Sequence, residues 1–435
     1  MRNYFRIIYN LARMMKFAHL DRDKLIEYQN ENLRKVVKYA YDNVPFYHQK
    51  LKLMKIKPRD IRTVKDLNKL PVLRKDEINR NINKIISKQF HVNTLQRLST
   101  SGSTGRPLQI FINKQEDDFR KAKHLMANIF CGQKPRDRYV AITAPSHFNE
   151  VPKFLRFMGI FDRTFVSVFD NFDTQISKII ELRPKILAGY SSSLLLLAKE
   201  VEKRGIKTIN PKFILGGAEL LDDLSRQYIE EVFDSPLYDQ YAVMEFDRIA
   251  WQCPARQQYH IDSYALIVQF LDENGDEVSE GERGEVVCTS LFNYAMPFIR
   301  YSVGDIGIPS GDDCPCGLTL PLMKMIEGRK DSLLTLPDGR LISPRTFTIA
   351  MNMFKFVRDI DQFRIIQKDK DFFVLYIKKK KVTIDERILE NALVNHFSNM
   401  LNLSKDEVTF KVEFCNNISF DQTGKFKVVV SELGK

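Results

Sequence analysis

The chain has 435 residues, a formal net charge of +12, 44% hydrophobic residues and 28% charged residues. That length exceeds one ordinary core and asks for at least two domains, with the balance of a soluble globular protein. No apolar run reaches the roughly eighteen residues that a spanning helix needs. The opening "MRNYFRIIYNLARMMKF" is broken by Arg2, Arg6, Arg13 and Lys16, which excludes a secretory signal core.

Helices are expected over the first fifty or so residues, within a helical N-terminal part spanning 1–90. Phe5, Ile8, Ala12 and Met15 recur at helical spacing. Such a stripe is expected to pack on a domain, and lying on a membrane surface is the alternative. A second helix is predicted from about Asp23 to Tyr41, stopping before "NVPFY". Next comes "LSTSGSTGRPLQIF", in which the seven residues Ser99 to Gly105 are all Ser, Thr or Gly. This stretch is either a short linker or a phosphate cradle, since glycine lets backbone N–H groups approach an anion closely.

From about Thr100 to Pro309, apolar strands such as "YVAITA", "KILAGY", "KFILGGA" and "LIVQFL" alternate with helical stretches. That alternation predicts an α/β domain with mixed sheets and helices. "LDENGDE" reads as an Asn-Gly hairpin turn. After about Asp331 two strands around a charged turn, a helix and a further strand predict a small α+β domain over 331–435, set apart from a large domain over 1–330. The lysine run Lys378 to Lys381 is expected to be a solvated strand end.

Several motifs could carry chemistry, and each has a plain structural reading beside it. Gly216-Gly217 with Glu219, in "FILGGAEL", could lie flat against a base or simply make a strand-to-helix turn. Tyr241 and Glu245 stand four apart in "YDQYAVMEFD", where a glutamate could hold Mg²⁺ or sit solvated. Asp305 in "IRYSVGDIG" could bind ribose hydroxyls or only shape a turn. Arg329 could meet a phosphate, and Lys425 is presented by a glycine turn.

In order, "TSGSTGRP", "GGAEL", "QYAVMEF", "RYSVGD", "EGRKD" and "TGK" resemble the adenylate-forming superfamily of acyl-coenzyme A ligases. "NVPFYHQKL" and "LPVLRKDEI" are similar to its phenylacetate–coenzyme A ligase and CapK-like branch. The resemblance implies ATP-dependent adenylation of a carboxylic acid, with acyl transfer to coenzyme A, on a large AMP-binding domain with a mobile C-terminal lid. Transfer to an amine acceptor in surface polysaccharide synthesis is the alternative, and a non-enzymatic nucleotide- or polyanion-binding protein is the second. By motif, Ser101, Gly102, Ser103, Thr104 and Gly105 would hold the phosphates of ATP. Gly216, Gly217, Ala218 and Glu219 would border the adenine, while Tyr241 and Glu245 would contact the nucleotide and Mg²⁺. Asp305 would bind ribose with help from Arg329, Asp331 would be the hinge, and Lys425 would bridge carboxylate and α-phosphate. Ala242 and Met244 depart from the superfamily's glycine and hydroxyl residues there.

Cys253, His260, Cys314 and Cys316 match a Cys₃His zinc set, and some relatives in this branch carry a structural metal here; ordinary reduced cysteines are the alternative. The other cysteines, Cys131, Cys288 and Cys415, read as buried apolar residues, and the cysteine usage suits a reducing cytoplasm. With no aromatic–basic interleaving, no nucleic-acid partner is expected.

Overall fold

In the computed structural model of the chain, the described residues are 3–99, 108–145, 159–219, 221–255, 258–324, 328–329, 334–342, 344–380, 384–404, 406–419 and 428–433. Backbone proximity divides the chain into two units: Met1–Pro135 with Tyr238–Ile326, and Arg136–Leu237 with Glu327–Lys435.

The first unit opens on the helices Tyr4–Phe17, Arg22–Asn43 and Pro45–Leu53. The second of these runs two residues past the predicted Tyr41. Its neighbour then restarts the chain with Pro45 at the first helical position, where the missing N–H has no partner to lose. The Tyr4–Phe17 helix packs on a long helix, Lys114–Phe130, with Ile7 and Met14 buried. The expected stripe faces the other way: Phe5, Ile8 and Ala12 are exposed. An Asn113–Glu116 capping box starts the long helix.

Among the described residues, two further antiparallel arrangements position the site in this unit. Strands Leu266–Leu271, Gly284–Ser290 and Tyr301–Gly307 pair side by side. The predicted turn lies just beyond Leu271, where the Asp272 carboxylate accepts from the N–H groups of Asn274 and Asp276 and Gly275 takes φ +89°. The segment "LPVLRKDEI" joins the last of these strands. Leu73 donates to the Arg300 carbonyl and accepts from the Ser302 N–H. Its neighbour Arg74 pairs with Glu285. The second arrangement includes Asp247–Gln252, Tyr259–Ile261 and Leu322–Met323, each antiparallel to the next.

In the second unit, Phe213–Gly217, Ile186–Gly189, Tyr139–Thr143 and Arg163–Ser167 are parallel neighbours in that order. Connecting helices Phe172–Leu182, Ser191–Lys203 and Asp223–Phe233 supply Ile176, Leu194, Leu197 and Phe233 to a core with Val140, Leu187 and Ile214. Strand hydrophobicity is nearly continuous here because both faces of a parallel sheet are covered. The tail of the unit is the expected α+β arrangement. Ile360–Asp369 and Phe372–Lys379 form a hairpin, flanked in parallel by Val429–Ser431 and Thr409–Phe414. Helices Pro344–Asn352 and Glu386–Leu401 contribute Phe347, Leu393 and Phe397 to its core. The lysine run is partly engaged, with Lys378 2.9 Å from Asp361 and Lys379 2.6 Å from Glu386.

Candidate active site and metal centre

Strand Leu237–Val243 presents Tyr241, and the turn beyond it presents Glu245. Strand Tyr301–Gly307 carries Tyr301 and Asp305. The fold joins the two motifs twice. The Tyr241 hydroxyl donates to Asp305 Oδ2 at 2.5 Å, and the Tyr301 hydroxyl donates to Glu245 Oε1 at 2.9 Å. Residues about sixty apart in sequence thus share a site, and both carboxylates are buried. A carboxylate has about four lone-pair sites, so it can accept from a cation or a ligand hydroxyl as well as from a tyrosine.

The turn bearing Glu245 is held from behind by two buried cations. Arg120 donates to the Met244 carbonyl at 3.1 Å and to the Glu245 carbonyl at 2.9 Å. One helical turn on, Lys123 donates to the carbonyls of Phe246, at 2.7 Å, and Arg248, at 2.5 Å. Asn293 Nδ2 adds a 3.1 Å bond to the Glu245 carbonyl. Asp247 closes the turn at φ +63° and accepts from or pairs with His124 Nε2 at 2.8 Å. Beneath lies a fully buried pair in which Arg248 donates to both oxygens of Asp262, at 3.0 and 3.1 Å, while Trp251 Nε1 donates to Oδ1 at 3.1 Å. Burying cations is costly unless they are hydrogen-bonded. Four carbonyls from one short segment meet that need and fix the segment.

Local sequence does not mark Arg120, Lys123 or Asn293 as site residues, nor Tyr301 individually. Tyr301 stands inside the quoted "IRYSVGD" motif, so its signal was present. Arg120 and Lys123 lie in "FRKAKH", a pattern that reads as a solvated helix face.

The Gly216–Glu219 turn belongs to the second unit. Ala218 adopts φ +65°, a left-handed conformation that costs a side-chain-bearing residue about 1–2 kcal/mol. Glu219 Oε2 accepts from the Ser192 N–H at 2.9 Å, at the start of the Ser191–Lys203 helix, where the dipole favours a negative charge. Arg329 is described only as backbone, in the short strand Gly328–Arg329. Ser101 to Gly105, Asp331 and Lys425 lie outside the described residues.

The four proposed metal ligands converge. Their donor atoms all lie within 4.8 Å of one another, with Cys253 Sγ 3.5 Å from Cys314 Sγ and Cys316 Sγ 3.3 Å from His260 Nε2. Those edges approach the roughly 3.5–3.8 Å of a tetrahedral zinc site with bonds of about 2.0–2.3 Å. Burial draws His260 down to about 4, leaving the neutral imidazole a metal requires. Cys131 and Cys288 are buried as expected, whereas Cys415 is half-buried.

No family model matches the chain. CapK of Staphylococcus aureus is 23% identical over 424 residues, covering 94% of this chain and 90% of that protein. The phenylacetate-coenzyme A ligase of Thermus thermophilus is 26% identical over 330 residues, 73% of each chain. Among solved structures, 2-hydroxyisobutyryl-CoA ligase in complex with 2-HIB-AMP superposes with a TM-score of 0.80 at 17% identity, covering 96% of this chain and 92% of that one. This chain is a homologue of the phenylacetate-coenzyme A ligases and CapK. Its fold is that of the adenylate-forming acyl-coenzyme A ligases. The anthranilate CoA ligase AuaEII, solved with anthranoyl-AMP, shares it at a TM-score of 0.56 and 16% identity, over 78% of this chain and 67% of that one. Within this fold the Tyr241–Asp305 and Glu245–Tyr301 pairs occupy the motifs through which the sequence resembles the superfamily.

Proposed function

We propose that this homologue of the phenylacetate-coenzyme A ligases adenylates a carboxylic acid with ATP and passes the acyl group to coenzyme A. The observation that carries the reading is the buried Glu245–Tyr301 and Tyr241–Asp305 pairing inside the motifs of that fold.

Two anions, carboxylate and triphosphate, have to meet, and the reaction needs preorganised positive charge and donors where new charge develops. Mg²⁺, when bound with the nucleotide, supplies charge neutralisation on the phosphates. Glu245 is the carboxylate that would hold it, and the Tyr301 hydroxyl orients that carboxylate. Asp305, which accepts from Tyr241, would also accept from ribose hydroxyls. Ser101 to Gly105 would supply backbone and hydroxyl donors to the phosphates. Lys425 would stabilise the charge that builds as the acid attacks the α-phosphate, with Asp331 the pivot of the tail that bears it.

Cys253, His260, Cys314 and Cys316 would form a closed structural zinc site, because four protein ligands leave no position for water. A place in the cytoplasm fits the reduced cysteines.

An amine acceptor is the second reading. The alignment with CapK spans 94% of the chain, whereas that with the Thermus ligase spans 73%, so a share of the chain is matched by CapK and not by that ligase. Pyrophosphate release across a panel of carboxylic acids, with hydroxylamine trapping of the acyl adenylate, tests the first half-reaction. Thioester formation with coenzyme A then decides between acceptors. Pyrophosphate release from no acid in a broad panel would sink the enzymatic reading. Gly102→Val or Gly105→Val should abolish exchange with the fold intact, since a side chain would obstruct backbone approach to phosphate.

A further inference from the structure

The Tyr4–Phe17 helix takes no part in the chemistry above, yet its construction is unusual for a helix on a protein surface. One face is committed inward. Ile7 and Met14 are buried against the Lys114–Phe130 helix, and Arg6 pairs with Asp118 at 3.3 Å, which fixes the helix's rotation. The opposite face then points outward, and it is apolar. Phe5 is 88% exposed, Ile8 63% and Tyr9 61%, and exposed Ala12 continues the row. Spacings of three and four residues place these side chains on one stripe. Beyond them lie Arg13 and Lys16, both exposed, with the Arg13 guanidinium 5.6 Å from the Tyr9 ring and 6.0 Å from the Phe17 ring. The first twenty residues contain no Asp or Glu.

A helix with Phe, Ile and Tyr outward, cations beside them and no carboxylate has the properties of an interfacial lipid-binding helix. At 14 residues it is too short to cross a bilayer, so it would lie along the surface. We propose that this helix seats the protein on an anionic phospholipid surface, with Phe5, Ile8 and Tyr9 entering the headgroup boundary and Arg13 and Lys16 meeting the lipid phosphates. Charge favours lipid over a second copy of the chain. A two-fold contact through this stripe would bring the Arg13 and Lys16 cations of both copies into one interface, and the helix has no acid to offset them. The proposal is independent of the adenylation reading.

The test is cosedimentation of the full chain with vesicles of phosphatidylcholine alone and of phosphatidylcholine containing about a third phosphatidylglycerol, at low and physiological salt. Wild-type protein should bind the anionic vesicles, more weakly at the higher salt, and bind the neutral ones poorly. Phe5→Ser with Ile8→Ser should weaken binding by about tenfold or more, as should Arg13→Glu, with pyrophosphate exchange in solution unchanged. Wild-type protein that ignores anionic vesicles at low salt would overturn the proposal, as would a double variant that still binds fully. A wild-type dimer that the double variant converts to monomer would also overturn it, assigning the stripe to self-association.

Discussion

Tyr301 and Glu245 meet at 2.9 Å, hydroxyl to carboxylate, across fifty-six residues of chain. Both are buried, and the Glu245 main chain is tied by Arg120 and Asn293. Glu245 is therefore held through its main-chain carbonyl by Arg120 and Asn293 and through its carboxylate by Tyr301.

Removing the hydroxyl should loosen the carboxylate without emptying the site. Tyr301→Phe should slow adenylation roughly tenfold, the scale of one hydrogen bond to a charged group. The Mg²⁺ concentration for half-maximal exchange should rise in parallel. Glu245→Gln should be far more damaging. An unchanged Mg²⁺ dependence in Tyr301→Phe would show that the bond does not serve the metal.

Arg120 acts through the backbone and is a positioning residue. Arg120→Lys should retain part of the exchange activity while Arg120→Met loses about tenfold or more, because only the former can still donate to a carbonyl. Equal activity in both variants would make the contact to the Glu245 turn irrelevant to turnover.

Lys123 gives a pH signature. Burial draws its ammonium from the usual 10.5 down to about 8. Below pH 8 folded and unfolded chains both hold the proton, so the cost of burying the charge is fully present. Between about 8 and 10.5 the folded chain releases it while the unfolded chain keeps it, so stability rises with pH. The difference in unfolding free energy between wild type and Lys123→Met should shift in favour of wild type across that window, by about 3 kcal/mol at most. Urea unfolding of both proteins at a series of pH values measures it, and a flat difference would contradict the assignment.

The metal centre predicts about one zinc per purified chain. Cys314→Ser should lower zinc content and thermal midpoint together, by elemental analysis and melting. A metal-free wild type whose stability matches that of the variant would end the idea.

Lys425 separates the half-reactions. Losing one preorganised cation at a transition state typically costs about 10²-fold or more. Lys425→Ala should therefore cripple adenylate formation yet spare acyl transfer from a supplied acyl adenylate, with Lys427→Ala as the control. The reverse pattern would mean that the neighbouring lysine holds the role.

Local periodicity determined the elements. The alternation of "KILAGY" or "KFILGGA" with helical stretches marks an α/β domain, and the structure pairs these strands in parallel, where each short apolar run is covered on both faces. The ordered motifs pointed to Tyr241, Glu245 and Asp305 as candidates, and the cysteines with His260 pointed separately to a Cys₃His set, since backbone approach and ligand chemistry restrict residue type. Tertiary structure decided what no local rule encodes. It turned Phe5 and Ile8 outward by giving Ile7 and Met14 the seat on the neighbouring helix. It buried Arg120 and Lys123, which a helical pattern assigns to solvent, because the carbonyls that satisfy them arrive more than a hundred residues later. Burial of a charge depends on partners brought by the fold, and those partners have no fixed distance in sequence.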